Sequence, residues 1–288
     1  MLKSLLRDKL LVVLIFLTVV IKILSLNESW VEQYYTYGAY PVISAGLRFL
    51  FGWLPFSFGD LVYLAAVFYI IAKTIKFIGI LKRREVKSYL GWILLRKFLR
   101  LILWIYLVFN IFWGLNYNRL GVASQFKLDV QPYSITQLDT LMSVLQERLN
   151  NYAVSVDSLK REALNRNKNL FAQAIANYKT IERSMPFLVY RYPSIKPSMF
   201  SHIGHYFGFT GYYNPFSGEA QIKTTVPFFL KPFVATHEIG HQLGYAKKTK
   251  PILLLLSQAG IRRSRSLVIL FIMKCTNMQS ANFTAATL

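Results

Sequence analysis

Three apolar runs, each flanked by basic residues, restrict this chain more than any other feature. Leu10 to Leu26 is broken only by Thr18, Lys22 and Ser25, and Lys3, Arg7 and Lys9 precede it. Leu61 to Leu81 follows, with Lys73 and Lys76 toward its end, where long apolar stems let the ammonium groups snorkel. Leu99 to Leu115 is dense in Leu, Ile, Trp and Phe. About 20 apolar residues match the hydrocarbon core of a bilayer. The pattern therefore predicts three N-terminal transmembrane helices, at about 10–26, 61–81 and 99–115. The rival for the first run is a cleaved signal peptide. The run is long for that, and Leu26-Asn27-Glu28-Ser29-Trp30 offers no small-x-small cleavage site.

The charges give the three runs one orientation. Lys82-Arg83-Arg84-Glu85-Val86-Lys87, Arg96, Lys97 and Arg100 crowd the segment between the second and third runs. The 27–60 loop carries Glu28, Glu32 and Asp60 against a single Arg48. Basic loops stay in the cytoplasm. The N-terminus and the 82–98 loop are thus expected inside, and the 27–60 loop and everything after about residue 117 outside. The formal net charge of +21 would suit nucleic acid. Much of it lies beside apolar runs, so it reads as membrane topology, with the lipid bilayer as partner and no nucleic acid. At 54% hydrophobic, the chain is too apolar for an ordinary soluble domain. The lone Cys275 excludes an internal disulfide framework and a cysteine-built zinc site. In the outer loop, Phe49 to Phe56 is aromatic and broken by Gly52 and Pro55, as an interfacial or a re-entrant segment would be.

From Asn116 the character changes. Helical spacing over 139–152 puts Leu138, Leu141, Leu145 and Leu149 on one stripe. A second helix is expected from Ser155 as N-cap to about Met185, with Leu159, Leu164, Leu170, Ala174 and Tyr178 inward. Glycine-punctuated sequence then predicts strands near 197–204, 208–213 and 219–224, with turns at Asn214-Pro215 and Ser217-Gly218.

The chemistry concentrates in His237-Glu238-Ile239-Gly240-His241, which holds two of the chain's four histidines. Four apart on a helix, the imidazoles project from one face, a turn apart. That spacing suits two ligands of one Zn²⁺, with Glu238 as base toward a metal-bound water. The plain alternative is a core helix that happens to contain two histidines. Leu243-Gly244 reads as the helix stop. His202 and His205, three apart in a strand or loop, share no face cleanly and make poorer ligands. Glu219 is a candidate ligand or cleft residue, and Tyr212 and Tyr213 are candidate hydrogen-bond donors to an oxyanion. A sheet followed by the His-Glu helix would let an extended peptide add to the edge strand.

The run Gly211 to Ala220, then Pro227, then Thr236 to Ala246, resembles the bacterial membrane-protein family called domain of unknown function 3810. Tyr34 to Asp60, with Gly52-Trp53-Leu54-Pro55-Phe56-Ser57-Phe58-Gly59-Asp60, and Trp113 to Tyr117 resemble it too. The resemblance spans roughly residues 1–246 and implies three N-terminal spans and a zincin-like outer domain, with no known substrate. It also implies an acidic segment, Glu-x-Glu-Ala-Asn, after the helix to supply the third zinc ligand. Here Ala246 is followed by Lys247-Lys248-Thr249-Lys250-Pro251-Ile252, and no acidic residue follows Glu238. A coding stretch GCA AAA GAA AAC GAA GCC AAT T encodes Ala-Lys-Glu-Asn-Glu-Ala-Asn. Loss of one A makes it encode Ala-Lys-Lys-Thr-Lys-Pro-Ile, which matches Ala246 to Ile252. A frameshift near Lys247 is therefore expected, and a basic tail over 247–288 that is aberrant and poorly ordered; the plain alternative is a genuine divergent end, such as a short membrane-associating segment.

The expectation is a mainly α protein of a bacterial cytoplasmic membrane. A membrane domain over 1–116 precedes an extracytoplasmic α+β zincin-like domain over 117–246 with a small antiparallel sheet. The expected activity is zinc metallopeptidase hydrolysis of a peptide or protein, with His237 and His241 on Zn²⁺ and Glu238 as base, silent where the third ligand is missing. A non-catalytic membrane scaffold with a relict helix is the second reading. A transporter is disfavoured, because the spans carry no central acidic pair or broken-helix repeat.

Overall fold

The computed structural model describes residues 8–82, 88–125, 134–153, 166–183, 185–228 and 230–246. The tail after Ala246 therefore lies outside the described residues, as does the start of the expected second outer helix.

Helix α1 (Lys9–Ser25) is capped by Asp8, whose carboxylate accepts from the Leu11 amide at 3.2 Å. The same carboxylate pairs with Arg100 across the packed helices. At 17 residues, α1 is shorter than the roughly 20 that span a bilayer unaided. After Asn27 the chain turns and continues through a π-helix, Val31–Ala39, into α2 (Tyr40–Phe51). The bend between α1 and this second stretch is 96°. The aromatic segment expected at 49–56 is thus the end of α2 and the turn after it. Helix α3 (Phe58–Lys82) is apolar all round, and Phe68, Tyr69, Ile70 and Ile71 stand exposed. Its stretch Phe58–Gly79 is long and apolar enough to cross a membrane, and the bent pair passes the same test if counted as one span. Helix α4 (Ser88–Phe112) carries the third apolar run but ends earlier than expected. Trp113 breaks it, and Gly114–Asn118 forms a 3₁₀ turn in which a Cβ on Gly114 would stand 2.7 Å from the Phe109 ring.

Helix α5 (Ile135–Ala153) covers the expected 139–152 and starts on a reciprocal cap. The Gln137 amide donates to Ser134 Oγ at 3.2 Å, and Gln137 Oε1 accepts from the Ser134 amide at 2.8 Å. Helix α6 (Asn167–Ile181) buries Leu170, Ala174 and Tyr178, as read from the sequence, and Ile181 besides; Leu159 and Leu164 lie outside the described residues.

The sheet departs from expectation in two ways. Strands β1 (Ile195–Pro197), β2 (Gly211–Asn214) and β3 (Glu219–Ile222) lie in the order β1-β3-β2. The β2–β3 hairpin is antiparallel, but β1 runs parallel to β3, with Ile195 opposite Ala220, so the sheet is mixed. The strand expected over 197–204 stops at Pro197. Ser198 and Ser201 bond the local backbone instead, with Ser201 Oγ donating to the Ser198 carbonyl at 2.6 Å, and a short helix follows at Gly204–Phe207. Between β2 and β3, Asn214 Oδ1 accepts from the amides of Phe216 and Ser217, and Gly218 takes φ +70°.

Helix α7 (Lys231–Gln242) has proline in its first turn, and Gly244 at φ +86° stops it as read. It buries Val234, Ala235 and Ile239 with Tyr178, Ile181, Leu188, Tyr190 and Ile222. A second core joins Val31, Tyr35 and Tyr40 to Trp113, Tyr213 and Ala246. The segment after α1 therefore packs directly on the sheet and on the end of α7.

Candidate functional site

Helical spacing brings the His237 and His241 rings together. Their centroids are 4.6 Å apart at 82°, and both side chains are partly exposed. His237 stacks on Phe233, and His241 meets the edge of Trp113. His241 Nδ1 lies 2.7 Å from the Tyr245 carbonyl, which can only accept. That contact makes Nδ1 the protonated nitrogen, and in a neutral ring Nε2 is then the nitrogen that would bind a metal. The turn at Gly244 returns the Tyr245 carbonyl to this ring.

Glu238, on the next position of the helix, is 4% exposed. A Cβ on Gly211 would stand 2.9 Å from its Oε1, 2.8 Å from Val234 and 2.9 Å from the Gln221 carbonyl. The absence of a side chain at the first residue of β2 is what lets that strand lie against Glu238.

The end of α7 is held by groups from several segments. Tyr40 Oη and Ser44 Oγ donate to the Gln242 carbonyl at 2.9 and 2.8 Å, and Arg48 reaches it at 3.3 Å. The Trp113 indole donates to the His241 carbonyl at 3.2 Å. The Gln242 side chain donates to the Ser194 and Gly218 carbonyls and accepts from Tyr190 Oη at 2.5 Å. Arg119 pairs with buried Glu32 at 2.8 Å, donates to the Gly244 carbonyl and lies over the Tyr245 ring. Burial pushes the Tyr190 hydroxyl up to about 12, opposed by nearby Arg48. Burial likewise takes Tyr245 up to about 12, opposed by Arg119.

The donor set suits a divalent cation in part. The two imidazoles are close, with at least one tautomer fixed. Among the described residues, however, no group of three His, Cys, Asp or Glu side chains converges. His205 lies beside Lys223, with Nδ1 3.3 Å from Nζ, and His202 is exposed. Glu219 is fully buried and committed elsewhere. It pairs with Lys196 at 2.5 Å and accepts from the Phe58 and Gly59 amides at the start of α3 and from Ser217 Oγ. The Tyr212 hydroxyl donates to Asp60 at 2.6 Å, and burial together with that carboxylate raises it above the usual tyrosine range. Tyr213 stands in the wall beside Trp113, 5.4 Å between rings, with its hydroxyl 3.5 Å from that of Tyr40. Sequence reasoning missed Gly211, Gln242, Tyr245 and Arg48. Gly211, Gln242 and Tyr245 lie in the runs that carry the family resemblance, and that signal could have marked them.

A mixed three-stranded sheet, a His-Glu-x-x-His helix and apolar helices joined to both define the class. The family model described as "Protein of unknown function (DUF3810)" matches residues 35–249, and the chain belongs to that family. No curated protein and no solved structure matches.

Proposed function

We propose that this chain is a membrane-anchored protein of zinc-metallopeptidase design, with α1, α3 and α4 as its spans and the α7 side outside the cytoplasm. The carrying observation is the histidine pair, 4.6 Å between rings, with His241 Nδ1 tied to the Tyr245 carbonyl at 2.7 Å. His237 and His241 would hold Zn²⁺, which when bound polarises a scissile carbonyl and acidifies a water. Glu238 takes the water proton at its carboxylate and passes it to the leaving amine. Gly211 seats that carboxylate beside β2, and an extended peptide would run along this strand. A catalytic zinc site uses three protein ligands. The described residues offer two, and the resemblance to the family would place the third, an acidic residue, just after Ala246.

The test restores that residue in the full chain, as Lys248→Glu or Lys250→Glu, and assays a fluorogenic peptide library. Zinc-dependent cleavage that is lost on adding Glu238→Gln, with zinc still bound, supports the enzyme. Cleavage untouched by Glu238→Gln refutes the base. Stoichiometric zinc with no cleavage of any peptide leaves the non-catalytic scaffold.

A further inference from the structure

A cavity of about 650 Å³ opens between α2 and the 186–192 segment, beside the end of α7. Its wall is largely apolar, with Pro41, Val42, Phe49, Phe187 and Leu243 among the lining residues. Arg48 also lines it and is 3% exposed. Arginine stays charged at any ordinary pH. Its Nε donates to the Arg191 carbonyl at 2.9 Å, and its Nη1 to Ser44 Oγ and the Gln242 carbonyl. Those carbonyl dipoles offset part of the charge. None of the ion pairs among the described residues includes Arg48, and Nη2 makes none of these bonds. A buried charge ordinarily has a full partner. Arg119, also on this cavity, is neutralised by Glu32, whereas Arg191 adds a second positive charge.

The place of the cavity narrows the partner further. Phe49 and Tyr192 also border a second hollow of about 420 Å³, lined by Leu50, Gly52, Trp53 and Pro193. Leu50 at the end of α2, with Gly52 and Trp53 in the turn after it, lies just before Phe58, where α3 begins. Val42, Phe49, Leu50 and Trp53 are 57–76% exposed, on a stretch that would meet the outer bilayer surface. Tyr192 has φ +51°, a costly conformation for an aromatic residue, and it holds its ring 5.3 Å from that of Phe49 between the hollows.

We infer that the two hollows form a site for an anionic phospholipid. The phosphate sits on Arg48 Nη2, the guanidinium nitrogen that the bonds to Arg191, Ser44 and Gln242 leave over, through a charge-assisted hydrogen bond. The acyl chain follows the Phe49–Trp53 groove. The inference rests on the spanning part of the reading above and not on zinc.

Native mass spectrometry of the full chain in detergent, mixed with phosphatidylglycerol or phosphatidylcholine, tests it. The parent protein retains phosphatidylglycerol in preference. Arg48→Gln weakens that retention roughly tenfold or more, as loss of a charge-assisted bond implies. Gly46→Leu gives an independent check. Gly46 lines the cavity, and a Cβ there meets nothing within 4 Å, so the first atom of a leucine side chain enters open space at the cavity wall, and leucine favours the helix over glycine. That variant loses the lipid while melting no lower than the parent. Equal retention of the two lipids, or unchanged phosphatidylglycerol retention in Gly46→Leu, overturns the proposal. Displacement of the lipid by equimolar inorganic phosphate overturns it too, since the site then reads a free anion. A chain that alkali strips from membranes but that still prefers phosphatidylglycerol sinks the spanning reading and upholds the site.

Discussion

At the residue scale, a hydrogen in place of a methyl group sets where Glu238 sits. Gly211→Ala would put a Cβ within 3 Å of Val234, the Gln221 carbonyl and Glu238 Oε1, two of them rigid neighbours. Overpacking of this kind costs about 1–3 kcal/mol, and a thermal melt of the variant should show it. Tyr190 gives a pH signature. Its folded value of about 12 lies above the ordinary 10.0, so the folded state holds this proton more tightly than the unfolded chain does. Its stabilisation is complete below about pH 10 and disappears as pH rises toward 12. Two units correspond to roughly 2–3 kcal/mol. Alkaline unfolding should therefore steepen above pH 10, and Tyr190→Phe should flatten that limb. An unchanged limb would mean that the hydroxyl is not sealed beneath Gln242.

At the scale of elements, Lys196 and Glu219 fasten the sheet to the start of α3. Lys196 Nζ donates to the Phe51 and Phe56 carbonyls as well as to Glu219, and Glu219 accepts the first amides of α3. Lys196→Met strands a buried carboxylate and should cost about 3–5 kcal/mol by chemical denaturation. Lys196→Met with Glu219→Gln should cost clearly less than the sum of the single changes. This pair also marks where the sequence was legible. Helical periodicity located α5 and the inner face of α6, and Gly244 located the end of α7. Local pattern could not show that Glu219 and Tyr212 serve contacts with the start of α3, more than 150 positions away in sequence for Tyr212 and Asp60. Nor could it place β1 parallel to β3, since alternation records which side chains are buried and not strand direction. The serines after Pro197 were read as strand because their hydroxyls were not credited with bonding the backbone. The histidine pair was legible because its geometry is local, whereas the Tyr245 carbonyl that orients it depends on the turn after the helix.

At the scale of the whole molecule, the segment after α1, the sheet and the end of α7 form one packed unit on apolar helices. Val31, Tyr35 and Tyr40 share a core with Tyr213 and Ala246, so the loop after α1 and the His-Glu helix must lie on the same side of any membrane that α3 crosses. A cysteine placed at exposed Tyr206 and one at exposed Trp53, each in a Cys275→Ser background, should react together with an impermeant maleimide from outside intact cells. Labelling of only one would separate surfaces that this packing joins. The most direct measurement is a zinc titration of the purified full chain against a chromophoric chelator. It compares the parent with His237→Ala, His241→Ala and Lys248→Glu. The account predicts one weakly held zinc per chain, lost in either histidine variant and held more tightly in the glutamate variant. Zinc binding indifferent to both histidine substitutions, or no binding even with the added carboxylate, would contradict it.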